Sequence, residues 1–251
     1  MPVEQVIPMQ YPDVLDWAAV VRNPDEKEKL YKHILAYAVS GPLKEVVIDV
    51  QGFVGKVNIH PLGDWNPNTG VGGAAGAKQY LQLVDCGHTI PFRAQVEAIS
   101  HLVDVVVDNC NGELSNRIKI GEKGIRLERN VFTRAGDCAV QSALTIVDDL
   151  TGKAGEMEQS WYVKEKVVVL EYKNGETVRR NHAIVKVGDF VNVSVVLQIQ
   201  KRPPLVKPKV RVNVSMKEIT VLESKSKIFS EYQKKAGGGL GGSTTRDVSM
   251  A

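Results

Sequence analysis

The chain has 251 residues, 43% apolar and 24% charged, a balance that suits a folded globular protein and excludes a disordered polyelectrolyte. Three scattered cysteines, Cys86, Cys110 and Cys138, exclude a disulfide framework, and no run approaches the ~18 apolar residues of a membrane span. The net charge of +3 hides an asymmetry: residues 1–160 hold 15 Lys+Arg against 21 Asp+Glu, and residues 161–235 hold 16 against 7. Such a layout fits a polyanion-binding half, or two halves packed through complementary charge.

The start, MPVEQVIPMQYPDVLDW, has neither a basic n-region nor an apolar h-region, so the expected setting is intracellular, cytoplasmic or nuclear, without a membrane partner. In RNPDEKEKLYKHILAYAVSGP, Asn23 can cap, Pro24 suits the first helical position and Glu26 completes a capping box. Leu30, Ile34, Leu35 and Ala38 recur at helical spacing, which predicts a helix over about 24–39 that covers one face of a sheet. LKEVVIDV and GFVGKVNIH then read as strands, followed by a Gly/Asn/Pro-rich loop and the strand KQYLQLVDC. The stretch RAQVEAISHLVDVV fits helix or strand, and VDVVVD favours strand by its β-branched content. NRIKI, GIRLERNVF and AVQSALTIVDD read as further strands.

In the second half, QSWYVKEKVVVLEY, the turn KNGE and TVRRNHAIVKV predict a hairpin, because Asn174-Gly175 suits the two positive φ angles of a type I′ turn. GDFVNVSVVLQIQ and KVRVNVSMKEITVL are two more strands. On the second, Val210, Val212, Val214 and Met216 alternate with Arg211, Asn213, Ser215 and Lys217, giving one buried face and one polar, basic face. From 229 the Gly/Ser-rich end loses periodicity and reads as a flexible tail. The fold class expected is mainly β (α+β): an antiparallel sheet or sandwich with one N-terminal helix and a small barrel-like C-terminal half. The expected divisions are a β-rich region 1–155, a basic β-hairpin or barrel-like region 156–228 and a tail 229–251, although the short connections also permit one continuous domain.

Several constellations bear on chemistry. GVGGAAGAK at 70–78 matches neither glycine fingerprint for nucleotides and precedes a strand instead of a helix, so it reads as a mobile loop. Cys86, His88, His101 and Cys110 are soft ligands without the paired knuckle spacing of structural zinc; a zinc site stays open, with no metal or cofactor assigned. Asp104 and Asp108 read as solvation, and with no nucleophile elbow or H-E-x-x-H motif nothing argues for catalysis. Trp65, in HPLGDWNPNTG, is either a stacking platform or a lid on the core, and Tyr172 and Phe190 are further stacking candidates.

The basic loop between the two VNVS copies carries Lys201, Arg202, Lys207, Lys209 and Arg211 beside Pro203, Pro204 and Pro208, with Arg179 and Arg180 on the preceding hairpin. These seven residues are the candidate phosphate contacts, since each phosphate engaged releases counterion. Lys and Pro at strand ends also protect a Val-rich sheet from edge pairing, and this alternative stays open. VGDFVNVSVVLQI and VRVNVSMKEITVL together resemble the C-terminal part of uncharacterised fungal (basidiomycete-type) proteins over about forty residues, a resemblance that implies no function. The same succession of strands and basic loop looks like a small barrel of the oligonucleotide-binding class.

The leading expectation is a non-enzymatic module binding nucleic acid with little base specificity through its basic C-terminal half. A self-associating, capsid-like β protein is the alternative, and carbohydrate or small-ligand binding through the Trp65 loop is the third.

Overall fold

The computed structural model describes residues 11–22, 33–38, 43–115, 120–121, 124–134, 148–157, 160–202 and 208–237. In chain order these form α1 (Tyr11–Trp17), β1 (Ala18–Arg22), β2 (His33–Tyr37), β3 (Ile48–Asn58), the short α2 (Gly70–Ala74), β4 (Lys78–Val84) and α3 (Thr89–Asn109). There follow β5 (Glu113–Leu114), β6 (Ile120–Gly121), β7 (Gly124–Asn130), β8 (Phe132–Arg134), β9 (Trp161–Val163), β10 (Val168–Lys173) and β11 (Glu176–Arg180). The long strands β12 (Phe190–Arg202) and β13 (Lys209–Glu223) and the helix α4 (Lys225–Gly237) complete the described chain.

The protein is mainly β. Eleven of the described strands share one sheet with the path β11-β10-β13-β12-β3-β4-β7-β6; β2 also pairs with β12, β1 with β2 and β5 with β13. Among the described strands the path is open, so the expected small barrel is not closed by them. Pairing is antiparallel except for β10 with β13 and β5 with β13. The separate ribbon β8–β9 carries a second, smaller core. Because β12 pairs with β3, the N-terminal and C-terminal regions share one sheet.

The long hairpin β12–β13 sets the frame. Val193, Val195, Leu197 and Ile199 face the main core opposite Ile219, Met216, Val214 and Val212, and all eight are buried. Helix α3 covers this side, burying Phe92, Ile99, Leu102, Val103 and Val106. The expected strand in VDVVVD is therefore corrected to helix. Asp104 and Asp108, four residues apart, lie on the solvent side, while Leu102, Val103, Val105 and Val106 turn inward, which is a 3.6-residue period. Pro91 sits in the first turn, where its missing N–H costs nothing.

Two further expectations are corrected. Residues 24–32 and 39 of the predicted N-terminal helix lie outside the described residues, but His33–Tyr37 is a strand, paired antiparallel with Ala18–Arg22. Ile34, Leu35 and Ala36 are buried in succession, so both faces are covered, and Trp17 meets Tyr37 edge-to-face at 5.3 Å. Tertiary pairing here overrides a good helical pattern. The end of the chain forms α4 through Gly237, where an unstructured tail from 229 was expected; residues 238–251 lie outside the described set. The Asn174-Gly175 turn is present with both φ angles positive (54° and 88°), and β11 ends where Asn181 accepts the Ala183 N–H at 2.9 Å and starts a 3₁₀ turn.

Three irregularities bend the sheet. The β12–β13 register skips Lys217 and Leu222, and the β3–β4 register skips Gly55. Bulges tighten the twist and bend a strand locally. The outcome is that β13 approaches β7, four strands along the path: the Asn213 amide donates to the Glu128 carbonyl at 3.1 Å and to Gln198 at 3.4 Å. The polar face of the sheet is thereby concave. Ser215 and Val196 lie on it and are nevertheless buried.

Candidate nucleic-acid interface

The seven basic residues predicted from sequence do not form one cluster. Arg179 and Arg180 lie on the edge strand β11, opposite Leu170 and Val169, which in turn lie beside Thr220 and Ile219 of β13. Arg211 is nine residues earlier on β13, about 30 Å away along an extended strand. Arg179 and Arg180 point to opposite faces, as neighbours on a strand must, and Arg180 is held by Glu171 at 2.9 Å. Lys201 pairs in register with Val210, on the core side, whereas Arg211 pairs with Gln200 on the concave side. Lys209 bonds to Glu113 at 2.5 Å. Lys207 lies outside the described residues, as does the side chain of Arg202.

What the fold gathers instead is a set of cations from four separate segments around the concave face. A groove of about 370 Å³ is lined by Arg129, Lys164, Lys166 and Lys217, together with Gln198 and Ser215. Lys78 of β4 and Arg126 of β7 extend this basic surface. The Arg126 guanidinium lies over the Tyr80 ring, 3.9 Å from its centroid, and its Nε bonds to Glu128 at 2.6 Å. Lys78 donates to Asn130, and burial holds its ammonium below the ordinary lysine value, with the positive charges of Arg211 and Lys164 adding to the effect against Glu128 and Asp64. Burial likewise lowers the Arg129 guanidinium, which donates to the Glu165 carbonyl at 2.7 Å. A backbone carbonyl compensates a desolvated cation less than a carboxylate would.

The groove also holds acids. Glu45, Glu165 and Glu218 line it, and Glu45 pairs with Lys217 while the buried Asp148 pairs with Lys166 at 2.6 Å. The mixture suits a ligand that offers anionic groups at intervals along with hydrogen-bonding edges, better than it suits a uniform polyanion surface.

A second concavity, about 430 Å³ and mostly apolar, opens where β4 ends beside β3. Phe190 and Phe53 face each other across β12 and β3 with centroids 5.0 Å apart, and His88 stacks on Phe53 at 5.8 Å with planes 15° from parallel. Phe190 is thus one of the expected stacking candidates that does line a cleft. Trp65 is not. Its ring is buried against Phe132, edge-to-face at 5.4 Å, in the second core with Leu62, Val131 and Met157. A loop tryptophan folds inward when apolar partners are near, and this one is a lid on the core. Tyr172 is exposed on the β10–β11 hairpin, away from both concavities.

Two other sequence motifs acquire places. Residues 70–74 form a short helix, and Ala74 and Ala77 pack into the second core, where an open glycine loop was expected. Cys86 and His88 precede α3, His101 lies on its exposed side and Cys110 caps its far end. A 21-residue helix is about 31 Å long, so these four side chains cannot converge on one ion.

Sequence reasoning missed Lys78, Tyr80, Arg126, Arg129, Lys164 and Phe53. The usable signal was the alternation of Lys78, Tyr80 and Gln82 with buried Leu81 and Leu83, and of Arg126 and Glu128 with Ile125 and Leu127. It marks polar strand faces without saying that they meet.

No protein-family model matches the chain, and no curated protein sequence does. Among solved structures the chain is similar to the single-stranded DNA-binding protein from bacteriophage Enc34, with a TM-score of 0.32 at 11% identity, covering 82% of this chain and 90% of that one. The same bacteriophage protein in complex with single-stranded DNA aligns with a TM-score of 0.33 at 14% identity, covering 82% of this chain and 96% of that chain.

Proposed function

We propose that the protein is a non-enzymatic module that binds single-stranded nucleic acid along the concave face of its sheet. The observation that carries this reading is the meeting of cations from β7, the segment 164–166 and β13 around a groove, with Lys78 of β4 close to Arg211 and Lys164 and the Arg126–Tyr80 stack on the neighbouring strands β7 and β4. Lys78, Arg129, Lys164 and Arg211 would hold phosphates. Tyr80 and the Arg126 plane would support a base, and Asn130, Asn213 and Gln198 present amide groups at the same surface. A groove of about 370 Å³ is far smaller than a duplex, so the reading is of an unpaired strand laid along it. Contacts of this kind favour backbone over base identity, which gives low sequence specificity. The similar bacteriophage chains are named for single-stranded DNA, but the residues alone support the reading.

The test is fluorescence anisotropy of labelled single-stranded DNA, single-stranded RNA and duplex DNA across a salt series. Affinity should fall steeply with salt and favour the single strands. A triple variant, Lys78→Met, Arg126→Ala and Arg211→Ala, should bind far more weakly, while Arg179→Ala with Arg180→Ala should bind nearly as the parent does. No binding at low salt, or a triple variant that binds normally, would sink the proposal.

A further inference from the structure

Strand β11 is the edge of the main sheet on its C-terminal side, paired with β10 alone among the described strands. All five of its residues are exposed, and the exposed Tyr172 (49%) and Val178 (40%) lie on this hairpin. An open edge carrying apolar side chains is a template for another strand.

The chemistry of this edge selects the partner. The two-residue Asn174-Gly175 turn makes Lys173 and Glu176 a hydrogen-bonded pair, and bonding then alternates along the hairpin. Glu176, Val178 and Arg180 therefore direct their backbone groups toward β10, and Thr177 and Arg179 direct theirs outward. A second copy of β11 running antiparallel can use those outward groups in a register centred on Val178. Thr177 and Arg179 then exchange four backbone hydrogen bonds with their counterparts. In the same register Val178 lies opposite Val178 of the second copy, and Glu176 lies opposite Arg180 at both ends. Shifting by one symmetric step in either direction shortens the overlap and breaks the Glu–Arg matches. The edge is self-complementary in shape, in hydrogen bonding and in charge, which is the requirement for a two-fold contact.

We propose that β11 is a homodimerisation edge, joining two copies by an antiparallel β11–β11 pair in the register that sets Glu176 against Arg180. The contact is small and the pair exchanges on dilution. It lies about 30 Å along β13 from Arg211, so it is independent of nucleic-acid binding at the concave face.

The experiment is light scattering coupled to size exclusion over a wide concentration range on the full chain. The expected result is a monomer–dimer equilibrium. Arg179→Pro removes one outward N–H per copy and leaves the β10 ladder intact, because proline is tolerated where an edge N–H faces solvent. This variant should be monomeric at every concentration, with an unchanged circular dichroism spectrum. Arg180→Glu should weaken the dimer about tenfold, and the double swap Glu176→Arg with Arg180→Glu should restore it. The swap does not restore the internal Arg180–Glu171 pair, so recovery reports the contact between copies and keeps the test valid if the proline variant fails to fold. A parent that is monomeric throughout, a species larger than a dimer, an Arg179→Pro variant that still dimerises or a double swap that stays weak would each overturn the proposal.

Discussion

The guanidinium of Arg126 covers the ring of Tyr80 at 3.9 Å, and the two residues lie on neighbouring strands, with Tyr80 directly opposite Glu128 in register. Arg126 reaches the ring diagonally, and its Nε is fixed by Glu128 on its own strand. A flat cation is thus held over the ring by its own ion pair, so less side-chain freedom is lost on binding.

This pre-ordered stack should contribute to binding more than to stability. Replacing Tyr80 by Ala is expected to weaken single-strand affinity by about 1–3 kcal/mol, with a melting temperature close to the parent's. Tyr80→Phe should bind nearly normally, because the ring and not the hydroxyl carries the contact. Anisotropy titration with parallel calorimetry checks both.

Lys78 makes a pH prediction. Its folded-state pKa lies below that of the unfolded chain, because burial and the charges of Arg211 and Lys164 disfavour the ammonium. Between the lowered value and 10.5 the unfolded state binds more protons than the folded state, so stability contributed by this group rises with pH through that window. Lys78→Met should remove that rise in denaturation curves measured as pH is raised toward 10.5. A phosphate placed beside Lys78 would raise its pKa again, so binding in the same window should take up protons. Calorimetric titration in buffers of different ionisation enthalpy measures the uptake.

Salt dependence distinguishes phosphate contacts from structural cations. For a single strand each lost contact should reduce the slope of log affinity against log salt by about 0.7. Arg129→Ala and Arg211→Ala are each expected to show this reduction. Lys209→Ala, whose ammonium is bonded to Glu113, should leave the slope nearly unchanged.

Trp65→Ala should damage folding and not recognition. The ring fills the second core and is only 8% exposed, and its removal should cost about 3–5 kcal/mol in chemical denaturation. At temperatures where the variant stays folded, its affinity for single strands should match the parent's.

Gly55 tests the curl of the sheet. A Cβ at this bulge would come within 2.8 Å of the Val84 side chain, so Gly55→Ala should destabilise by about 1–3 kcal/mol. Val84→Ala in the same chain should recover most of that loss, since the clash is with one methyl group.

Much of the β architecture was legible because its signals are local. The alternation of Val210, Val212, Val214 and Met216, and the Asn174-Gly175 turn, need no partner to be recognised. Local signals also misled. His33–Tyr37 carries a helical pattern yet pairs with Ala18–Arg22, because burial on both faces outweighs a few tenths of a kcal/mol per residue of propensity. VDVVVD looks like strand by composition, but Asp104 and Asp108 at a spacing of four reveal the helix once burial is known.

By itself the sequence determined the mainly β class, the two long strands β12 and β13, the basic bias of residues 161–235 and the alternation that makes one strand face polar. Only the tertiary structure decided which cations act together. It separated Arg179 and Arg180 from Arg211 by the length of a strand, set Lys78 close to Arg211 and Lys164, and brought Arg129 and Lys164 to one groove. The physical reason is that strand register and bulges at Gly55, Lys217 and Leu222 set the curvature of the sheet, and curvature is a property of paired strands that no single segment contains.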